Sequence, residues 1–323
     1  MHVCKTVLFP SPSQRSQLGQ VFAQVNQLLL PIQPLHKQTR PPQNMPRPET
    51  HPSEPKINIL LVNPNSTETM TAACLVSLHS SLPPDVSIQG FTPSPPAPTA
   101  IESQVDNVLS SADTFRQLLP LLKPEGGQER LNKSESGPEH HLNPLPDAIL
   151  VACFSDHHLT RMLREELPLP TIGIMEASLF YARTLGARIG IIATSARSAI
   201  AHADSVARYG FSSFLAGIRA CELGVLDLER KPREVVMGRV REVATALVEG
   251  DGADVLVLGC AGMVGLREAV EGVVEGWGVG VVDGVGAGVQ HLVGVVRMGG
   301  KTAKRGVWRS SEVGRRARGQ GFL

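Results

Sequence analysis

One pattern occurs twice in this sequence, and it constrains the fold more than any other feature. An aspartate, an apolar run and a cysteine six positions after the aspartate appear at Asp147–Cys153 and again at Asp254–Cys260. An earlier apolar run at 57–62, followed by Asn, Ser and Thr, has its counterpart at 189–193, followed by Thr and Ser. A repeat of this kind predicts two similar lobes, each contributing one strand-end turn and one strand-end cysteine.

The apolar runs of the sequence lack the polar alternation of a sheet with one solvated face. Runs of this type that alternate with helical segments are typical of parallel strands covered by helices on both sides. The sequence therefore predicts an α/β fold in which two lobes with parallel sheets are related by pseudo-two-fold symmetry. Ligands of such sheets bind at the carboxyl ends of the strands, so we expect the active site in the cleft between the lobes.

Domain boundaries follow from changes in composition along the chain. The predicted parts are a first lobe at 56–175 with an inserted polar loop at 123–146, a second lobe at 176–283, a helix at 284–298 that packs back on the first lobe, and a basic flexible tail at 299–323. The glycines between Gly284 and Gly288 are interpreted as tight helix–strand packing. A dinucleotide site would need a following βαβ unit with an acidic ribose ligand, which the sequence lacks.

The first 55 residues differ from the rest of the chain. They are rich in Pro, Gln and Ser, their first acidic residue is Glu49, and apolar residues between Leu18 and Leu29 have helical spacing. We interpret residues 1–55 as a disordered Pro/Gln-rich extension, or as an upstream stretch of a chain that begins at Met45; an organelle transit peptide, which has similar features, is the alternative. We expect a cytoplasmic protein, or a mitochondrial one if residues 1–55 act as a transit peptide.

The balance of charge excludes two classes of partner. Lys and Arg total 31 and Asp and Glu total 30, whereas nucleic-acid and membrane-surface proteins carry a strong basic excess. No apolar run reaches the roughly 18 to 20 residues of a membrane-spanning helix. We therefore expect a soluble protein with a small-molecule substrate and neither a nucleic acid nor a membrane as partner.

Cysteine usage predicts a reducing compartment. The five cysteines, at positions 4, 74, 153, 221 and 260, contain no CxxC pair and form no disulfide framework. Cys74 and Cys221 are interpreted as small core residues, the commonest state of a cysteine in an apolar run, and Cys4 receives no role. Metal-ligand spacing is also lacking around the histidine pairs at 140–141 and 157–158, so no metal is predicted.

Cys153 and Cys260 are the predicted catalytic residues, because each follows a strand and precedes a helix or turn. Ser155 or Asp156 is the expected cap of the helix after Cys153, and Gly262 gives backbone room after Cys260. Free N–H groups at a helix start favour a thiolate, so we expect both thiol pKa values to fall from ~8.5 toward neutrality. One thiolate would remove a proton from a stereocentre, and the other thiol would deliver a proton to the opposite face.

Several polar or flexible positions at the strand ends are the predicted substrate-binding residues. They are Asn63, Asn65, Ser66, Thr67, Phe154, Ser155, Glu176, Thr194, Ala261 and Gly262. The turn 63–67 offers short side-chain donors and helix-start amides for a carbonyl or imide oxygen, although a plain helix cap needs only one of these residues. Glu176 is assigned to a ring N–H, with a first-turn helix residue as the alternative.

These residues carry a resemblance to a known family. The motifs are ILLVNPNST at 59–67, ACFSD at 152–156, IGIMEA at 172–177, LGCAGM at 258–263 and VD at 282–283. They resemble the Asp/Glu/hydantoin racemase superfamily, and within it the hydantoin (allantoin) racemase family, over residues 56–298. The resemblance implies two flavodoxin-like lobes, Cys153 and Cys260 as paired acid and base, no cofactor, 5-substituted hydantoins or allantoin as substrates, and a homo-oligomer. His157 and His158 stand where the family has a Pro-Gly turn, which we expect to reshape the pocket.

Two other functions remain open from the sequence. Superfamily relatives isomerise or decarboxylate small dicarboxylic acids with the same cysteines, but an acid needs a positive anchor, and no Arg or Lys lies in the strand-end motifs. A catalytically silent ligand-binding protein on this scaffold is the alternative outside enzymes. It would keep ligand affinity when either cysteine is replaced by serine.

Overall fold

Two parallel sheets with the same strand order form the framework of the structure. The structure, a computed structural model, describes residues 57–123, 142 and 144–320, all of which lie in one compact unit. The strands are β1 Ile57–Val62, β2 Val86–Phe91, β3 Ala148–Val151, β4 Thr171–Gly173, β5 Ile189–Ala193, β6 Leu215–Ala220, β7 Val255–Leu258 and β8 Gly280–Val282. The orders are β2-β1-β3-β4 and β6-β5-β7-β8, with every pairing parallel. The predicted α/β fold with two similar lobes is confirmed.

Helices follow the strands in each lobe, as parallel connections require. The helices are α1 Glu68–Leu78, α2 Gln104–Leu122, α3 His158–Glu166, α4 Ile174–Leu185, α5 Ala196–Arg208, α6 Asp227–Arg230, α7 Arg233–Thr245, α8 Arg267–Val273, α9 Gly284–Arg297 and α10 Glu312–Ala317. The central strands β1, β3, β5 and β7 are almost wholly buried, because helices cover both faces of each sheet. No helix in the described part of the chain is long and apolar enough to cross a membrane.

The two aspartates of the repeat have the same structural role. Asp147 Oδ2 accepts the backbone N–H of Asn58 at 2.8 Å, at the start of β1. Asp254 Oδ1 accepts the backbone N–H of Arg188 at 2.8 Å, just before β5. Asp147 thus connects the start of β3 to the start of β1, and Asp254 connects the start of β7 to the start of β5. Six residues after each aspartate, the chain has left the sheet and reaches the cysteine of the repeat.

Helix α9 comes after the last strand of the second lobe but packs on β1, β3 and β4 of the first. A Cβ at Gly288 would overlap the Leu150 side chain, and a Cβ at Gly284 would lie 2.9 Å from the Ile174 carbonyl oxygen. Glycine at these two positions permits the close approach of α9 to β3 and α4. Because α4 also packs on β7 and β8, the α4–α9 pair connects the two sheets.

The basic segment after α9 lies against α3, where the sequence predicts a flexible tail. Arg315 donates to Glu166 at 2.6 Å, and Lys304 donates to the carbonyl of Arg164 at 2.9 Å. The Arg164 guanidinium lies 5.8 Å from the centre of the Trp308 ring. A count of positive charges cannot reveal these contacts, because they depend on the buried Glu166 carboxylate. The predicted extension at 1–55 and most of the predicted loop at 123–146 fall outside the described residues.

Candidate active site

Both repeat cysteines open onto one small cavity at the carboxyl ends of the central strands. This inner cavity has a volume of about 60 Å³ and is lined by Cys153 and Cys260 together with residues that include Asn65, Phe154, Thr194, His202 and Ala261. A second, outer cavity of about 100 Å³ adjoins it. The two share five lining residues, Ile101, Cys153, Phe154, Ser198 and His202. Each lobe therefore contributes one thiol and one strand-end turn to a single cleft.

Local backbone geometry holds each thiol in place. Cys153 Sγ lies 3.3 Å from the Ser155 hydroxyl, with which it shares a hydrogen bond. Cys260 Sγ accepts the backbone N–H of Gly262 at 3.4 Å, within the 3-10 turn Ala261–Met263. A Cβ at Gly259 would lie 2.5 Å from the Ile192 carbonyl oxygen, so this residue before Cys260 must be small. Both cysteine residues are half-buried.

The predicted lowering of the two thiol pKa values is wrong. Burial raises the pKa of Cys153 to about 11, and the Ser155 hydrogen bond opposes this only in part. Burial also raises the pKa of Cys260 to about 12; the Gly262 N–H lowers it, and the charge of a Cys153 thiolate raises it further. The low-dielectric surroundings disfavour a thiolate more than the nearby N–H groups favour one. Both groups are neutral thiols at neutral pH.

Asn63 and Asn65 form a hydrogen-bonded pair, in which Asn65 lines the inner cavity and Asn63 lies behind it. The buried Asn63 donates from Nδ2 to Asn65 Oδ1 at 3.0 Å and to Thr71 Oγ1 at 3.1 Å. Asn65 lines the cavity, and its Nδ2 has the Met70 sulfur at 3.3 Å as its partner. A thioether is a weak acceptor, so a ligand carbonyl can take over this donor. Asn63 positions Asn65, and Asn65 is the one that meets the cleft.

Ser66 and Thr67 are turned away from the cavities, contrary to the prediction that they bind substrate. Ser66 Oγ donates to the Ala97 carbonyl at 2.9 Å, and Thr67 Oγ1 donates to the Thr99 carbonyl at 2.7 Å. Neither lines the inner or the outer cavity. They fasten the loop that leads to Ile101, a residue of both cavities, so their effect on the cleft is indirect.

The predicted contacts next to the cysteines are brought together at the cleft. Phe154, Thr194 and Ala261 line the inner cavity, and Ser155 lines the outer one. Gly262 reaches the site through its N–H on the Cys260 sulfur. These positions follow directly from the strand ends.

Glu176 does not reach either cavity, so its predicted contact with a substrate N–H is wrong. Its Oε2 accepts from Arg164 at 2.7 Å, and only 14% of its side chain is exposed. The residue belongs to the first turn of α4, which is the alternative that the sequence left open. Helix direction, which strand-end spacing does not specify, turns this carboxylate toward α3.

The helix after Cys153 is capped by His157 rather than by Ser155 or Asp156. His157 Nδ1 accepts the N–H of Leu159 at 3.4 Å, while both ring nitrogens lie near serine hydroxyls of α2. The fully buried His157 thus packs away from the cleft. Among the residues that the structure describes, no group of three or more His, Cys, Asp or Glu is placed to bind a metal; the pair at 140–141 lies outside them.

Helix α5 supplies cavity residues that strand-end reasoning missed. Ser198, His202 and Ser205 continue, at helical spacing, a polar stripe that begins at the predicted Thr194, and all four residues line one or both cavities. Helical periodicity applied to this polar stripe would have identified it. It escapes notice because periodicity is usually read from apolar residues.

The same helix also brings positive charge to the outer cavity, which the strand-end motifs do not contain. Arg197 and Arg208 line this cavity, with Arg208 Nε 3.0 Å from Asp156 Oδ2. An argument against acid substrates from the motifs alone is therefore incomplete.

Comparison with known proteins gives concordant matches. The family model described as Asp/Glu/Hydantoin racemase matches residues 59–292. The uncharacterized protein C1F7.10 of Schizosaccharomyces pombe is 36% identical over 79% of this chain and 98% of its own length. A hydantoin racemase of Pseudomonas sp. (strain NS671) is 31% identical over 77% of this chain and 89% of its own. The crystal structure of an allantoin racemase from Pseudomonas fluorescens matches with a TM-score of 0.67 at 26% identity, covering 79% of this chain and 97% of that one. These matches confirm the resemblance carried by the strand-end motifs.

Proposed function

This chain is a racemase of the Asp/Glu/hydantoin racemase family, and we propose that it inverts the acidic stereocentre of a hydantoin or an allantoin-like ureide. Cys153 and Cys260 act as paired acid and base, with no cofactor. The relatives that carry the names hydantoin racemase and allantoin racemase support this choice of substrate. The observation that carries the proposal is the shared inner cavity, onto which each lobe opens one strand-end thiol.

Stereoinversion needs a proton acceptor on one face of the carbon and a proton donor on the other. One cysteine, as thiolate, takes the proton from the stereocentre, and the electron pair moves into the adjacent carbonyl to give an enolate. The other cysteine, as thiol, adds a proton to the opposite face. No electron is gained or lost, and after each turnover the thiol and the thiolate have exchanged places.

Donors around the cavity can stabilise the enolate oxygen. The Asn65 Nδ2 group is held by its neighbours and has only a thioether as partner. Preorganised donors of this type lower the barrier because they are already aimed at the developing charge. A carbonyl next to the stereocentre, as in a hydantoin ring, supplies the oxygen that they bind.

The test is racemisation of single enantiomers, followed by polarimetry and chiral chromatography. L- and D-5-substituted hydantoins and both enantiomers of allantoin are compared with aspartate and glutamate as acid substrates. We expect the wild type to racemise a cyclic ureide, and Cys153→Ser and Cys260→Ser to lower kcat by about 10³-fold or more, as removal of an essential acid or base does. Cys74→Ser, a core thiol, is the matched control and should retain activity.

Two other results would replace the proposal. Turnover of an acid with no ureide activity would indicate the dicarboxylate function, for which Arg197 at the outer cavity would be the anchor. Ureide binding by calorimetry without turnover, unchanged in both serine variants, would indicate a catalytically silent binding protein.

A further inference from the structure

We infer that His202 binds the substrate through its ring nitrogens where the two cavities meet, and that the site favours ureides whose stereocentre carries an uncharged, hydrogen-bonding substituent. This inference rests on the proposed function and specifies the substrate of the same site. The ring that bears the stereocentre would lie in the inner cavity between the cysteines, and the substituent would extend into the outer one.

His202 is a buried polar side chain that lies near the Gly259 backbone but makes no hydrogen bond of standard geometry with it. It is 6% exposed, and neither Nδ1 nor Nε2 makes a hydrogen bond of standard geometry with any described residue. It nevertheless lines both cavities. Its ring meets the edge of Phe154, with centroids 5.1 Å apart at 74°, so packing holds the imidazole in one place. A buried polar group without a hydrogen bond lowers the stability of the fold. Because His202 lines both cavities, a ligand in the cleft can supply that hydrogen bond.

The other fully buried histidine shows what a structural role looks like in this protein. His157 Nε2 lies 3.1 Å from Ser110 Oγ, and its Nδ1 lies 3.2 Å from Ser111 Oγ. Both nitrogens are satisfied, and the ring lines neither the inner nor the outer cavity. The contrast separates a histidine that completes the core from one that faces the substrate.

His202 offers one donor and one acceptor to a ligand. Burial lowers its pKa to about 4, and the nearby Gly259 backbone, which favours the charged form, offsets only part of this effect. A neutral imidazole has one N–H and one lone pair. This pair matches the N–H and C=O groups of a ureide, whereas a carboxylate could use the donor alone.

Most residues that line the outer cavity are polar, and its two acidic residues, Glu102 and Asp156, are matched in number by its two basic residues, Arg197 and Arg208. Asp156 is bound by Arg161 and Arg208, at 2.9 and 3.0 Å. Glu102 Oε1 accepts the N–H of Val225 at 2.8 Å. Arg197 lines the same cavity from an exposed position. These polar groups can pair with a neutral substituent that carries several donors and acceptors, such as a ureido group, whereas an alkyl or aryl group offers them no hydrogen bond.

The experiment compares kcat/KM for three substrates of different substituent. Allantoin has a neutral ureido group, 5-isobutylhydantoin an apolar group and hydantoin-5-acetic acid an anionic group. We expect wild type to prefer allantoin, and His202→Phe to lower kcat/KM for allantoin by about 10- to 100-fold, the effect of a lost hydrogen bond to a buried group. The ratio of allantoin to 5-isobutylhydantoin activity should fall by at least about tenfold. His202→Gln, which keeps a donor and an acceptor, should recover part of that ratio.

Controls separate this role from a contribution to folding. His202→Phe should not lower the melting temperature, since it removes an unpaired polar group, whereas His157→Phe should lower it and leave the substrate ratio unchanged. If the Phe variant does not fold, His202→Leu is measured in its place. Active variants with an unchanged substrate ratio, or a wild type that prefers 5-isobutylhydantoin, would overturn this inference and leave the proposed function standing. A wild type inactive on all three ureides would overturn both.

Discussion

At the scale of single residues, the two cysteines face opposing requirements. In the proposed mechanism the small cavity presents both thiols to one substrate, but burial raises both thiol pKa values, to about 11 and about 12. That mechanism needs a form with one thiolate and one thiol. Below both pKa values the population of that form is small and increases with pH.

This protonation state predicts a pH profile. We expect kcat/KM, which reports on the free enzyme, to rise about tenfold per pH unit between about pH 7 and about pH 9. The sign follows from the raised pKa values, because each increase in pH below them converts more thiol to thiolate. Initial racemisation rates, with the uncatalysed rate subtracted at each pH, give the profile. A plateau below pH 8 would mean that a thiolate already exists near neutrality.

The limits of the sequence also appear at this scale. Asn65, Thr194 and both cysteines could be placed at the cleft because strand ends of parallel sheets converge there. The positions of Ser66 and Glu176 could not be predicted in this way. A shift of one residue along a turn or a helix changes the direction of the side chain, and so decides whether it faces the cavity or a neighbouring element. The sequence mispredicts the thiol pKa values for a related reason. A motif shows which N–H groups lie at the helix start, but it does not show the apolar atoms that surround the thiol in the fold.

At the scale of elements, buried strands were the most predictable feature. The apolar runs at 57–62 and 189–193 form strands with the expected bounds, since continuous apolar runs of this length suit a sheet covered on both faces. The polar stripe of α5 was not recognised, although its spacing is visible in the sequence. A helix that lines a cleft on one side needs polar residues where a core helix has apolar ones.

The junction of α4 and α9 gives an element-scale prediction. A Cβ at Gly284 would lie 2.6 Å from Ser178 Oγ and 2.9 Å from the Ile174 carbonyl oxygen. Relief of the second contact needs a shift of the backbone, which costs free energy. We expect Gly284→Ala to lower the free energy of unfolding by about 1–3 kcal/mol, a usual cost of overpacking. Urea denaturation followed by circular dichroism measures it.

A second glycine of α9 is the matched control. Gly294 is exposed, and a Cβ there would meet nothing within 4 Å. Gly294→Ala should therefore raise the free energy of unfolding by about 0.5–1 kcal/mol through helix propensity. Stabilisation by both substitutions would show that α4 and α9 do not pack as closely as described.

At the scale of the whole molecule, the two lobes repeat their strand order and share one cleft. Neither lobe contains a complete site, because each supplies one thiol. Links across the cleft, such as Glu102 to Val225 at 2.8 Å and Thr69 to Glu229 at 3.0 Å, join residues of the first lobe to residues of the second. Such links connect the two lobes beside the cleft. A homo-oligomer and a cytoplasmic location remain predictions of the sequence.

Solvent-deuterium exchange at the stereocentre tests the two-thiol mechanism most directly. Each enantiomer of allantoin is incubated in D₂O with wild type, Cys153→Ser or Cys260→Ser, and NMR and polarimetry follow deuterium uptake and rotation. We predict uptake with loss of rotation for wild type from either enantiomer. Each serine variant should exchange only one enantiomer, without inversion, and the two variants should act on opposite enantiomers. Equal exchange of both enantiomers by a serine variant, or racemisation that survives both substitutions, would contradict the assignment of one thiol to each face.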